Sequence, residues 1–361
     1  MTALPIHAPS PATTFTLPPG REATGPPERR GVARDGVRLL VARSGDLRHR
    51  SFRELPDLLD PGDLVVVNTS ATLPAAVRGQ RGDGRAALVH VSTPLTGGTW
   101  VVELRRLDGT GPELDHAPGE VLTLSGAITL TLTEPYPDPS AGRSRLWRAR
   151  VSPPRPAEDY LLEHGRPIAY RYLTGDHPLA DFQTVYATVP GSAEMASAGR
   201  PFTARLLVAL MARGVVLAPV VLHSGVSSPE LHEPPTPEHF EVPEATARLV
   251  ESTAAAGRRV IAVGTTVVRA LESAYSGGRV RAARGWTDLV LGPGRPARVV
   301  TGLITGLHAP EASHLLLLEA VAGPALVAAA YDEAVDRGYL WHEFGDSMLF
   351  LPDRATTTRR G

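Results

Sequence analysis

The segment Val260 to Ser273, VIAVGTTVVRALES, places Thr265 and Thr266 where an apolar run gives way to a helical pattern, with Arg269 one turn further on. A helix N-terminus carries partial positive charge and unpaired N–H groups, so a cation there is unfavourable unless a negative group lies close. Two arrangements meet that condition. In one, the hydroxyls, the free N–H groups and the guanidinium hold a ligand carboxylate or phosphate. In the other, Thr265 caps the helix and Arg269 pairs with Glu272 or another carboxylate of the protein.

Further polar residues stand at element ends. ASAGRPFT, Ala196 to Thr203, is a small-residue loop opening a helix; Ser197 and Gly199 allow a ligand near the backbone, or simply form a loop. His223 closes the apolar run VVLAPVVL, a position for acid-base chemistry or for a structural histidine. GLHAPEASH carries His308 and His314, whose separation on a loop-helix junction is poor metal spacing. Asp346 lies in FGDSMLF, where its bland role is an Asx-turn closing a last strand. No lipase-type Gly-x-Ser-x-Gly, zinc-protease His-Glu-x-x-His or Rossmann glycine motif occurs.

Composition narrows the chemistry. The 361 residues include no cysteine, which removes thiolate nucleophiles, disulfides and thiolate metal sites. Lysine is absent too, so all 37 Lys-plus-Arg residues are arginine and Schiff-base chemistry is excluded. A net charge of -1 argues against an overall basic nucleic-acid surface, and a tRNA partner would need a local basic patch. No apolar run has membrane-spanning length and the N-terminus lacks a signal pattern; the expected location is the cytoplasm.

The elements that must hold these residues follow from periodicity. Residues 1–14, rich in Pro, Thr and Ala, are expected to form a mobile tail. From about Ala75 to Val151, short alternating runs such as AALVHVS, TWVVELRRL and AITLTLTE predict a small antiparallel β-barrel inserted into the larger domain. Residues 15–74 and 152–361 alternate amphipathic helices with apolar strands. Thr203 caps ARLLVALMAR, Pro243 opens EATARLVESTAAA, and the strands between them predict an α/β domain with a mostly parallel sheet covered by helices. Ligands of such sheets bind beyond the carboxyl ends of the strands, where Asn68, His223 and Thr265 fall.

In order and spacing, HRSFRELPDLLDPGDLVVVN, DFQTVYA, RVIAVGTTVVRALES, GWTDLVLGPG and FGDSMLF resemble the blocks of the S-adenosylmethionine:tRNA ribosyltransferase-isomerase family of queuosine biosynthesis, from about Phe15 to Leu351. The resemblance implies an α/β domain with an inserted barrel. It also implies transfer of the ribosyl part of S-adenosylmethionine to a 7-deazaguanine base of tRNA, releasing adenine and methionine, with no metal. S-adenosylmethionine would then be a substrate, with tRNA as partner; nothing indicates the oligomeric state. Carried onto this chain, Thr265, Thr266 and Arg269 would hold the anionic end of the ligand, in a site completed by Asn68, Ser197 and Gly199. His223 or Glu238 would act as base, and His308 or Asp346 would assist the leaving group.

The chain departs from the family pattern at polar positions. An acid and two arginines of that pattern are Thr69, Ala71 and Ala76 here, and a histidine is Pro201. Three readings follow: the family reaction with altered contacts, a paralogue using S-adenosylmethionine with a non-tRNA acceptor, and a non-catalytic nucleoside-binding protein.

Overall fold

The computed structural model describes residues 10–227, 235–292, 294–310 and 312–352. A hairpin of β1 (Arg38–Arg43) and β2 (Asp46–Ser51) leads through α1 (Leu55–Leu58) to β3 (Leu64–Asn68) and the short β4 (Ser70–Thr72). Six strands come next: β5 (Ala76–Arg81), β6 (Ala86–Pro94), β7 (Thr99–Arg105), β8 (Val121–Leu124), β9 (Ile128–Pro135) and β10 (Leu146–Ser152). After α2 (Ala157–His164) and β11 (Val189–Ser192), the chain forms α3 (Ala204–Ala212), β12 (Val216–Leu222), β13 (Glu238–Val242), α4 (Glu244–Ala255), β14 (Val260–Val263) and α5 (Thr265–Ser273). The small hairpin β15 (Tyr275–Ser276) and β16 (Arg279–Val280), then β17 (Ala283–Thr287), β18 (Gly302–Gly306), α6 (Ser313–Ala322), α7 (Pro324–Asp336) and β19 (Ser347–Phe350) complete it.

Nine strands form one sheet in the order β17-β13-β12-β3-β14-β18-β19-β1-β2. The expectation of a mostly parallel sheet is corrected: the sheet is mixed. β12, β3, β14 and β18 are mutually parallel, and β19 is parallel to β1, while β17–β13, β13–β12, β18–β19 and β1–β2 are antiparallel. Apolar runs reveal that both faces are covered but not strand direction. Direction depends on the connections: β1 returns as β2 by a tight turn, and two helices separate β18 from β19. Those helices meet at a bend of 119°, which brings the chain back toward the end of the sheet it left, so β19 runs against β18.

Alternation in β3 shows how the sheet holds two cores. Leu64 and Val66 pack with Val267, Leu271 and Leu318 of the helices on one face, whereas Val65 and Val67 pack with Phe202, Leu206 and Leu210 on the other. Thr203 caps α3 as expected, accepting from the Leu206 amide at 3.1 Å.

Strands β5 to β10 close into an antiparallel barrel in the order β10-β7-β6-β5-β8-β9. Its interior is filled by alternate residues, among them Val89, Val91, Val102, Leu104, Leu130 and Leu132, with Tyr160 and Leu161 of α2 packed in the same cluster. Of the expected tail, residues 1–9 lie outside the described residues. Thr13 is buried, its amide donating to Glu319 at 2.7 Å. Among the described residues, no single helix is long and apolar enough to cross a membrane.

Candidate functional site

The carboxyl ends of β12, β14 and β18 open onto one cavity of about 270 Å³. Ser224 to Ser227 follow β12, Gly264 to Thr266 follow β14, and Thr305 to Ala309 end β18; all line it. The opposite wall comes from Thr72, Arg145 and the stretch around Ile168 to Tyr172, on the barrel side. A crevice at strand ends, closed by a second unit, is where open α/β sheets take small ligands.

The start of α5 leaves backbone N–H groups open at the cavity. Gly264 adopts φ 88° with ψ 159°, a conformation only glycine takes readily, and a Cβ there would also meet Ala198 at 3.4 Å. No side chain caps the helix, so Thr265 is not the cap that its sequence position suggested. The Val268 amide reaches the Gly264 carbonyl at 3.4 Å. The amides of Thr265, Thr266 and Val267 have no partner among the described residues, and such open N–H donors at a helix N-terminus favour a negative group. Thr266 is positioned by Asn68, whose side-chain amide donates to its hydroxyl at 3.3 Å.

Arg269 answers to a protein carboxylate. Its Nη1 donates to Oε2 of Glu238, its Nε to the Leu289 carbonyl at 3.2 Å, and its Nη2 to the carbonyls of Thr287 at 3.0 Å and Thr236 at 3.3 Å. Four of its five N–H donors are therefore met within the protein, the second of the two arrangements that the sequence allows, while Arg269 still lines the cavity. Glu238 accepts the Gly225 amide on its other oxygen at 3.0 Å. Burial lifts its carboxyl above the ordinary range, against the pull of Arg269 and the Gly225 N–H.

His308 stands at the end of β18 with its Nε2 at 3.0 Å from the Thr305 hydroxyl. Its ring lies flat on His314, with centroids 4.5 Å apart and planes 1° from parallel. Burial holds His308 well below its usual range and His314 at about 4, so both imidazoles are neutral at pH 7.

Two further carboxylates reach the cavity. Glu194 accepts from the Tyr170 hydroxyl, the Ser227 hydroxyl and, at 3.1 Å, the Ser227 amide. Glu343 accepts from the Tyr172 hydroxyl at 2.5 Å, and burial pushes its carboxyl up to about 7. Tyr170 stacks on Tyr172, and Tyr172 stacks on His342 at 4.4 Å. These groups were missed in the sequence because they lie in coil, without periodicity; the spacing of the two tyrosines in AYRYL and the acid beside ASAGRPFT were the only signals. Arg145 was missed as well: it binds Glu103 at 2.8 Å and the Val226 carbonyl at 3.1 Å while lining the cavity.

The cavity thus gathers Ser197, Glu238, Thr265, Thr266, Arg269 and His308. Four expected residues lie outside it. His223 bonds the Ser70 hydroxyl through Nδ1 at 2.8 Å, stacks on His239, and is held at about 4 chiefly by burial. Asp346 accepts the Arg38 amide and Nε and the Leu340 amide, each at 2.9 Å. Asn68 ties β3 to β12, donating to the Leu222 carbonyl at 2.8 Å and accepting its amide at 3.0 Å. Gly199 packs under Tyr186, whose hydroxyl would lie 2.1 Å from an added Cβ. Among the described residues, no group of His, Asp and Glu is arranged to hold a metal ion.

The family model described as Queuosine biosynthesis protein matches residues 12–350. An S-adenosylmethionine:tRNA ribosyltransferase-isomerase of Anaeromyxobacter dehalogenans is 34% identical, over 93% of this chain and 97% of that one. Its counterpart from Moorella thermoacetica is 36% identical, over 93% and 98%. The crystal structure of S-adenosylmethionine tRNA ribosyltransferase from Thermotoga maritima superposes with a TM-score of 0.53 at 29% identity, covering 94% of this chain and 99% of that one.

Proposed function

The chain belongs to the S-adenosylmethionine:tRNA ribosyltransferase-isomerase family, and from that membership we propose how its cavity performs the family reaction. The enzyme transfers and isomerises the ribosyl part of S-adenosylmethionine onto a 7-deazaguanine base of tRNA, and adenine and methionine leave. The comparisons lend no support to a non-tRNA acceptor or to a purely binding role.

One observation carries the assignment of residues. The polar groups Glu238, Thr265, Thr266, Arg269, Thr305 and His308 come from β13, α5 and the end of β18, and meet around a single cavity at the strand ends. The methionine carboxylate takes the uncapped N-terminus of α5, with Thr265, Thr266 and Ser197 beside it. Purine stacks against the flat face of the His308 and His314 pair; being neutral, these rings do not repel a sulfonium.

The positive sulfur acidifies the neighbouring 5′ carbon. Glu238 takes that proton: a carboxylate offers about four lone-pair sites, and the Gly225 amide and Arg269 use two. Arg269 fixes the orientation of Glu238 and is a positioning residue. The tRNA base approaches from the barrel side, past Thr72 and Arg145.

The test is incubation with S-adenosylmethionine, with and without precursor-modified tRNA, followed by mass spectrometry. Adenine and methionine in equal amounts, only when tRNA is present, support the reading. Their absence from the complete mixture would remove it.

A further inference from the structure

Among the described residues three carboxylates line the cavity, and they differ in how their charge is met. Glu238 is paired with Arg269. Among the described residues, Glu194 and Glu343 have only neutral donors: two hydroxyls and an amide for the first, the Tyr172 hydroxyl and a backbone N–H for the second. Among the described residues, no arginine forms a salt bridge with either. Glu343 is the less satisfied of the two, since among the described residues Tyr172 is its single side-chain partner.

Aromatic faces accompany these acids. Tyr170 and Tyr172 stack with centroids 6.0 Å apart at 20°, and Tyr172 continues onto His342 at 4.4 Å and 11°. Each tyrosine hands its hydroxyl to one acid, so ring and carboxylate form a paired wall. His342 holds φ 70°, a left-handed backbone that a non-glycine residue adopts only at a cost, and this turn carries Glu343 to the cavity. A carboxylate lacking a cation beside stacked π faces is the environment that favours a soft, weakly hydrated positive charge.

We infer that Glu343, held by Tyr172, is the specificity-determining residue that recognises the sulfonium of S-adenosylmethionine and so distinguishes it from the neutral thioether S-adenosylhomocysteine. This inference rests on the reading of the cavity as the S-adenosylmethionine site. The two ligands share the adenosine, the amino group and the carboxylate, and differ only by the methyl and its charge. Contacts to the shared parts cannot separate them. Burial and the charge of Glu194 lift the Glu343 carboxyl, so an arriving cation stabilises its ionised form.

Calorimetric titration of the full-length protein with each ligand tests the inference. In Glu343→Gln, S-adenosylmethionine should bind about tenfold or more weakly while S-adenosylhomocysteine changes less than about threefold. Tyr172→Phe, which keeps the ring and removes the hydroxyl, should weaken S-adenosylmethionine selectively by a smaller factor. Melting curves of both variants verify folding. Equal losses for the two ligands, or no loss for either, would overturn the inference while leaving the cavity assignment intact. A wild-type protein that binds neither ligand would overturn the cavity assignment with it.

Discussion

Arg269 and Glu238 neutralise each other inside the cavity wall: the guanidinium donates to the carboxylate, and its remaining contacts are to the carbonyls of Leu289, Thr287 and Thr236. The buried arginine of α5 is thereby explained without a ligand, and the helix N-terminus is left open for one.

Removing one partner of a buried pair strands the other charge. Arg269→Ala should lower unfolding stability by about 3–5 kcal/mol in denaturant titration. Adding Glu238→Gln to that variant should recover much of the loss, because the orphaned charge is gone. A stable Arg269→Ala protein whose sole defect is weak ligand binding would return Arg269 to the role of an anion grip.

Gly264 sets the direction of the α5 N-terminus. Gly264→Ala should cost about 1–3 kcal/mol, because φ 88° strains a residue with a Cβ, and should weaken S-adenosylmethionine as the free amides tilt. Unchanged affinity by calorimetry would mean that the ligand carboxylate does not use those amides.

Asp346 holds β19 against the rest of the sheet through Arg38 and Leu340. Asp346→Ala should destabilise by about 3 kcal/mol while the folded fraction keeps its ligand affinity. A specific loss of turnover at full stability, measured at a temperature below the melting transition, would make it a catalytic residue after all.

The sign of the Glu343 shift fixes a pH trend. Its folded carboxyl titrates near 7, above the unfolded value of 4.5. The native state therefore holds the proton more tightly, and stability declines as pH rises across that window. Glu343→Gln should flatten the decline and be more stable than wild type above pH 7, by about 1–2 kcal/mol. Parallel melting-temperature profiles for the two proteins that run together from pH 4 to pH 8 would contradict the buried, cation-free environment.

Elements whose signals are local were legible before the structure. The α5 segment, the Thr203 cap and the alternating runs of the barrel each follow from side-chain periodicity or a nearby hydrogen bond. Strand direction was not, because it depends on whether one helix or two intervene between paired strands. The same limit applies to the site. His223 and Thr265 both end apolar strands, yet His223 is spent on Ser70 while Thr265 faces the cavity. Glu343 and Tyr172 lie in separate coils and meet only through folding. The cost of burying Glu343 registers once its neighbours are known, not in its sequence context.

A crystal structure with S-adenosylmethionine bound is the most direct measurement. The predicted complex has the methionine carboxylate on the amides of Thr265, Thr266 and Val267, with the sulfonium facing Glu343 and Tyr172 and the purine on His308. Ligand density elsewhere, or a cavity that stays filled by protein side chains at saturating ligand, would contradict the account.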